Sequence, residues 1–142
     1  ALDSLIWGPH YWFVLLTIAL CYPLTPNDVT KKKYYEFIQN LPLFIPVEEI
    51  SSEFSKLIDA YPITPYLDNR DSFLRWMHFI HNKINAKLEK PPISLSDFFI
   101  EYYNQYKSTD LQKYEYYKTI KKIVYFAIII AILGIIYYYY DK

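Results

Sequence analysis

Residues 73 to 91 read FLRWMHFIHNKINAKLEKP, and this stretch decides the fold. Phe73, Trp76, Met77, Ile80, Ile84 and Leu88 recur every three or four positions, the period that lines side chains along one face of an α-helix. The pattern predicts the longest helix of the N-terminal part, from about Arg70 to Glu89. Lys90-Pro91-Pro92 stops it, because a proline has no amide to donate and its ring crowds the preceding turn.

Working outward, prolines divide residues 1 to 106 into four or five short helices. Leu5 to Cys21 carries Trp12, Leu15, Leu16, Ala19 and Leu20 at helical spacing and stops at Tyr22-Pro23. Thr25-Pro26-Asn27-Asp28 reads as a turn and cap before a helix from Lys31 to Leu41, with Tyr34, Phe37, Ile38 and Leu41 on one face. Pro46 stands where a third helix would begin; that helix, about Val47 to Ala60, aligns Ile50, Phe54, Leu57 and Ile58. After Tyr61-Pro62-Ile63-Thr64-Pro65 and the long helix, a last one starts near Ser94 or Ser96 with Phe98, Phe99, Tyr102 and Tyr103. The expected class is all-α, a small four- or five-helix bundle over residues 1–106.

The remainder is different in kind. From Ile123 to Tyr140 there are 18 consecutive uncharged residues. As a helix they span about 27 Å, close to the hydrocarbon thickness of a bilayer. A core helix of a small domain would show a polar stripe, and this run has none. Tyr125 at one end and Tyr137 to Tyr140 at the other stand like interfacial aromatics. Lys118, Lys121 and Lys122 precede the span and one Lys follows it, so the positive-inside rule puts the N-terminal domain on the cytoplasmic side of a single-pass anchor over residues 121–142. Residues 107–120 read as a polar connector, helical or frayed.

Composition excludes several classes. Fifteen basic and fifteen acidic residues cancel, which leaves no overall field for nucleic acid. Two glycines in 142 residues exclude a Rossmann fingerprint or a phosphate loop. The start lacks the order of a secretory signal. His78 and His81 lie i, i+3 without a third ligand, so no metal site is expected. Glu48 and Glu49 open a helix, where carboxylates favour the dipole. Cys21 is the single cysteine, so no intrachain disulfide can form, and it reads as a small buried hydrophobe.

Two motifs carry a resemblance. Trp7-Gly8-Pro9-x-x-Trp12 followed by Leu15-x-Thr17-x-Ala19-x-x-Tyr22-Pro23 resembles the opening helix of the Erv/ALR FAD-linked sulfhydryl oxidases, including forms encoded by large DNA viruses. Phe73-x-x-Trp76-x-x-x-x-His81-Asn82-x-Ile84-Asn85-x-x-Leu88-x-Lys90-Pro91 resembles that family's helix for the adenosine end of FAD. The likeness covers roughly residues 5 to 103. It implies that Trp76 and His81 lie against the adenine and that Asn82, Asn85 and Lys90 reach the ribose and phosphates. It places Trp12 and Tyr22 near the flavin, and it implies a homodimer through the first helices. Independently of the name, His81, Asn85 and Leu88 are spaced i, i+4, i+7 and share one helical face. Core packing is the plain alternative for Trp76, Ile84 and Leu88.

The resemblance breaks at the reactive centre. The family carries a CxxC disulfide at the start of the third helix, in a context like PCxxCxxxF; here the segment is Pro46-Val47-Glu48-Glu49-Ile50-Ser51-Ser52-Glu53-Phe54. Proline and phenylalanine keep their places, and the cysteine positions hold Val47 and Ile50. Neither side chain can form a thiolate, so the family's thiol oxidation is expected to be lost. Leu16 replaces a histidine of the first helix, the C-terminal cysteine falls near Leu95, and Tyr102 stands where tryptophan is common. The expected function is therefore a membrane-anchored, catalytically inactive structural or interaction protein, for instance a minor capsid or inner-membrane component of a large DNA virus. The alternative is a domain that keeps FAD and forms disulfides with a cysteine-bearing partner.

Overall fold

The computed structural model describes residues 2–142. Among them it is all-helical: α1 (Ser4–Leu20), α2 (Asp28–Asn40), α3 (Glu48–Ala60), α4 (Arg70–Lys87), α5 (Leu95–Asn104) and α6 (Thr109–Tyr140), with single 3-10 turns at Leu41–Phe44 and Thr64–Tyr66. One compact unit runs to Tyr102 and a second spans Tyr103–Lys142.

Each start has a local cause. The side chains of Asp3, Asn27 and Asn69 accept the amides of Leu5, Thr30 and Ser72, which satisfies donors that a helix N-terminus leaves open. Asn27 capping explains why α2 begins three residues before the expected Lys31. Pro46 lies outside α3, and Val47 is its N-cap residue without a side-chain acceptor.

The core of the first unit is built where the periodicity placed it. Phe73, Trp76, Met77, Ile80 and Ile84 of α4 are buried against Leu15, Leu16 and Ala19 of α1, Phe54, Leu57 and Ile58 of α3, and Phe98 and Tyr102 of α5. Each such side chain contributes about 1.5–3 kcal/mol relative to exposure. α1 and α4 form the most extensively packed pair. Thr17 Oγ1 and Tyr102 Oη are 2.7 Å apart, and Phe13 stacks on the Tyr102 ring.

In the second unit the stretch expected as a connector is helical from Thr109, capped by Ser108, and runs unbroken into the apolar segment. α6 has 32 residues and is long and apolar enough to cross a membrane. None of its residues is buried within the described chain, unlike the core helices of the first unit.

Candidate functional site

Helix α4 ends in a way the sequence hides. The Glu89 amide donates to the Ala86 carbonyl and the Lys90 amide to the Asn85 carbonyl, 3.2 and 2.8 Å, the paired bonds of a Schellman turn. Glu89 takes the left-handed conformation, φ 56°, that such a turn requires and glycine usually supplies. This reversal brings residues 90 to 93 back along the helix.

Asn82 holds them there. Its Nδ2 donates to the Ile93 carbonyl and its Oδ1 accepts the Ile93 amide, both at 2.9 Å. His78 Nε2 also lies 2.7 Å from the Ile93 carbonyl. A carbonyl only accepts, so that contact fixes the proton of His78 on Nε2.

His81 directly precedes Asn82 of this clamp. Its imidazole stacks on Trp12 of α1, with ring centroids 4.0 Å apart and planes 17° from parallel, and Phe98 meets it edge-on at 5.4 Å. Burial, His78 and the Lys90 ammonium lower its pKa from 6.5 to about 4. The ring is therefore neutral near pH 7. Its Nδ1 is buried without a hydrogen-bond partner. A buried ring nitrogen left without a partner costs about 1–3 kcal/mol, so its hydrogen-bonding capacity is unmet in this state.

The remaining sequence-expected residues lie in different settings. Trp76 is fully buried, and its Nε1 donates to the Tyr61 carbonyl at 2.9 Å. Tyr22 is fully buried as well; its hydroxyl donates to the Leu67 carbonyl, and burial, Tyr34 and Asp68 raise its pKa. Both polar groups already have main-chain partners. Asn82, expected at a ribose or phosphate, bonds the chain itself at both ends of its amide. Asn85 and Lys90 share the closed end of α4, and Lys90 lies near enough to act on His81. The clamp on Ile93 and the left-handed Glu89 were not anticipated, because no glycine stands between Leu88 and Pro91 to signal the turn.

At the start of α3, Val47 is half-buried and Ile50 is 9% exposed. Cys21 is exposed and unpaired, contrary to the buried role expected for it, because it caps α1 just beyond the last core position, Ala19.

The Erv1 / Alr family profile matches residues 9–107, which contain all of these elements. The chain belongs to this family. An FAD-linked sulfhydryl oxidase of African swine fever virus is 31% identical over 113 residues, covering 80% of this chain and 90% of the relative. A probable FAD-linked sulfhydryl oxidase of Acanthamoeba polyphaga mimivirus is 29% identical over 80 residues, and the chain spans 56% of that relative's length. The crystallised FAD-binding domain of Erv1 from Saccharomyces cerevisiae superposes with a TM-score of 0.65 at 27% identity, covering 72% of this chain and 95% of the domain. The Erv1 / Alr assignment thus rests on sequence and on fold together.

Proposed function

We propose that this chain is a membrane-anchored Erv1/Alr domain without dithiol chemistry of its own, used as a structural or interaction module in the capsid or inner membrane of a large DNA virus. One observation carries the proposal: the entrance of α3 holds Val47 and Ile50, and the chain's single sulfhydryl, Cys21, lies at the end of α1. A disulfide relay needs a thiolate to attack and a second sulfur to receive it. The viral relatives support the virion setting, α6 supports the anchor, and the lysines before it support an N-terminal domain on the cytoplasmic side.

A second reading has its own support, in which the domain retains FAD and works beside a cysteine-bearing protein or a second copy. The adenosine end fits: His81 is neutral with an orphaned Nδ1, Trp12 offers an indole face, and Lys90 supplies a positive charge for a phosphate. The reactive end does not fit, because no sulfur stands at positions 47 or 50. Trp12 and His81 are closed on each other; a base between them would need about 7 Å, so it would lie beside the pair. When bound, FAD supplies a two-electron acceptor. In this reading His81, Asn85 and Lys90 hold its adenosine portion and Trp12 lies towards the flavin, whereas the polar groups of Trp76, Asn82 and Tyr22 are already bonded to the chain and act as supports of the fold.

The absorbance spectrum of the full-length chain purified in mild detergent separates the two. A colourless protein supports the structural module and removes the second reading; a stoichiometric flavin band does the reverse.

A further inference from the structure

The N-terminal half of α6 carries a charge pattern that spanning a membrane does not require. Tyr114, Lys118, Lys121, Lys122 and Tyr125 are spaced i, i+4, i+7, i+8, i+11, which on an unbroken helix gathers them within an arc of about 100°. Lys121 Nζ lies 5.7 Å over the Tyr125 ring. The nearby carboxylate that could neutralise this stripe, Glu115, is taken by Lys107 at 2.9 Å. Lys118, Lys121 and Lys122 join no ion pair among the described residues. Over residues 107–122 the balance is three positive, from Lys107, 113, 118, 121 and 122 against Asp110 and Glu115, in a chain whose total is zero.

We infer that the stripe formed by Lys118, Lys121 and Lys122, framed by Tyr114 and Tyr125, binds anionic phospholipid headgroups of the leaflet that the N-terminal domain faces. This rests on the reading of α6 as a membrane span. Lys122 adjoins the first apolar residue and Lys118 lies about 6 Å further out, so all three ammonium groups fall at headgroup depth. Long lysine stems lie along apolar surface while their heads stay in the polar layer, and tyrosines favour the same layer. Charge complementarity names the occupant: lysines clustered beside a span attract phosphatidylserine-type lipids, and zwitterionic phosphatidylcholine offers no net charge to hold.

The test uses the full-length chain reconstituted in phosphatidylcholine vesicles containing a trace of spin-labelled phosphatidylserine or spin-labelled phosphatidylcholine. The motionally restricted fraction at the protein boundary is read by electron spin resonance. The expected result is an enrichment of phosphatidylserine over phosphatidylcholine of about fivefold, falling towards unity in 1 M salt and in the triple variant K118Q/K121Q/K122Q. Equal boundary fractions for the two lipids, or an enrichment that the triple variant retains, would overturn the inference. Extraction of the same vesicles with alkaline carbonate separates the two levels. Protein that stays with the bilayer without a lipid preference defeats the headgroup site alone, whereas release into the supernatant defeats the span and the site with it.

Discussion

The His81 imidazole lies face to face on the Trp12 indole, 4.0 Å between centroids, joining α4 to α1 where, alone among the described residues, a buried side-chain nitrogen lacks a partner. The contact bears on stability, because burial in this aromatic wall keeps the imidazole neutral.

A pH dependence follows. In the unfolded chain His81 takes a proton below about pH 6.5, and in the folded chain only near pH 4. Between those values the unfolded state binds more protons, so stability from this group is complete above about pH 6.5 and is lost as pH falls towards 4. The loss reaches up to about 3 kcal/mol, at about 1.4 kcal/mol per unit. Urea denaturation at pH 7.5 and 4.5 measures it. The variant His81→Phe should show a smaller drop between the two; an equal drop would mean that His81 is not the group titrating.

The turn closing α4 predicts changes of opposite sign. Glu89→Gly relieves a left-handed side-chain residue and should stabilise by about 1 kcal/mol. Asn82→Ala removes both bonds to Ile93 and should destabilise by about 2 kcal/mol. Thermal unfolding of the two variants checks both. An Asn82→Ala protein as stable as the parent would show that the amide is not a clamp.

Tyr22→Phe distinguishes a core tyrosine from one that waits for a ligand. The ring is kept and only the bond to the Leu67 carbonyl is lost, so stability should fall by about 1–2 kcal/mol in flavin-free protein. Unchanged unfolding in denaturant would place the hydroxyl's importance elsewhere.

The start of α3 should still be able to activate a thiol. A sulfhydryl at the first residues of a helix has a lowered pKa because the amide ends stabilise its thiolate. In V47C/I50C, alkylation by iodoacetamide at pH 7 should modify an α3 position several times faster than Cys21. Equal rates at all positions would argue that this helix end gives no activation.

What could be read in advance divides along physical lines. α4 was legible because Phe73, Trp76, Met77, Ile80 and Ile84 satisfy a local period that tertiary packing then uses, and all five are buried. α6 was legible because eighteen uncharged residues have few other uses; its continuation back to Thr109 was left open between a helix and a frayed connector, since Lys and Tyr there support a helix without marking one. The stacking of Trp12 on His81 joins distant positions, and no local pattern pairs them. Tyr22 illustrates the limit: its place in the family motif was plain, but a hydroxyl bonded to the carbonyl of Leu67 is a tertiary fact. Glu89 defies the preference for glycine, so its turn could be found only in the backbone.

The central claim is that this domain cannot pass electrons from a dithiol by itself. Oxygen consumption by the full-length chain with excess FAD and dithiothreitol tests it most directly. The predicted rate equals that of the same FAD free in solution, within error. A rate well above that background, proportional to the chain's concentration and abolished by denaturing it, would contradict the account.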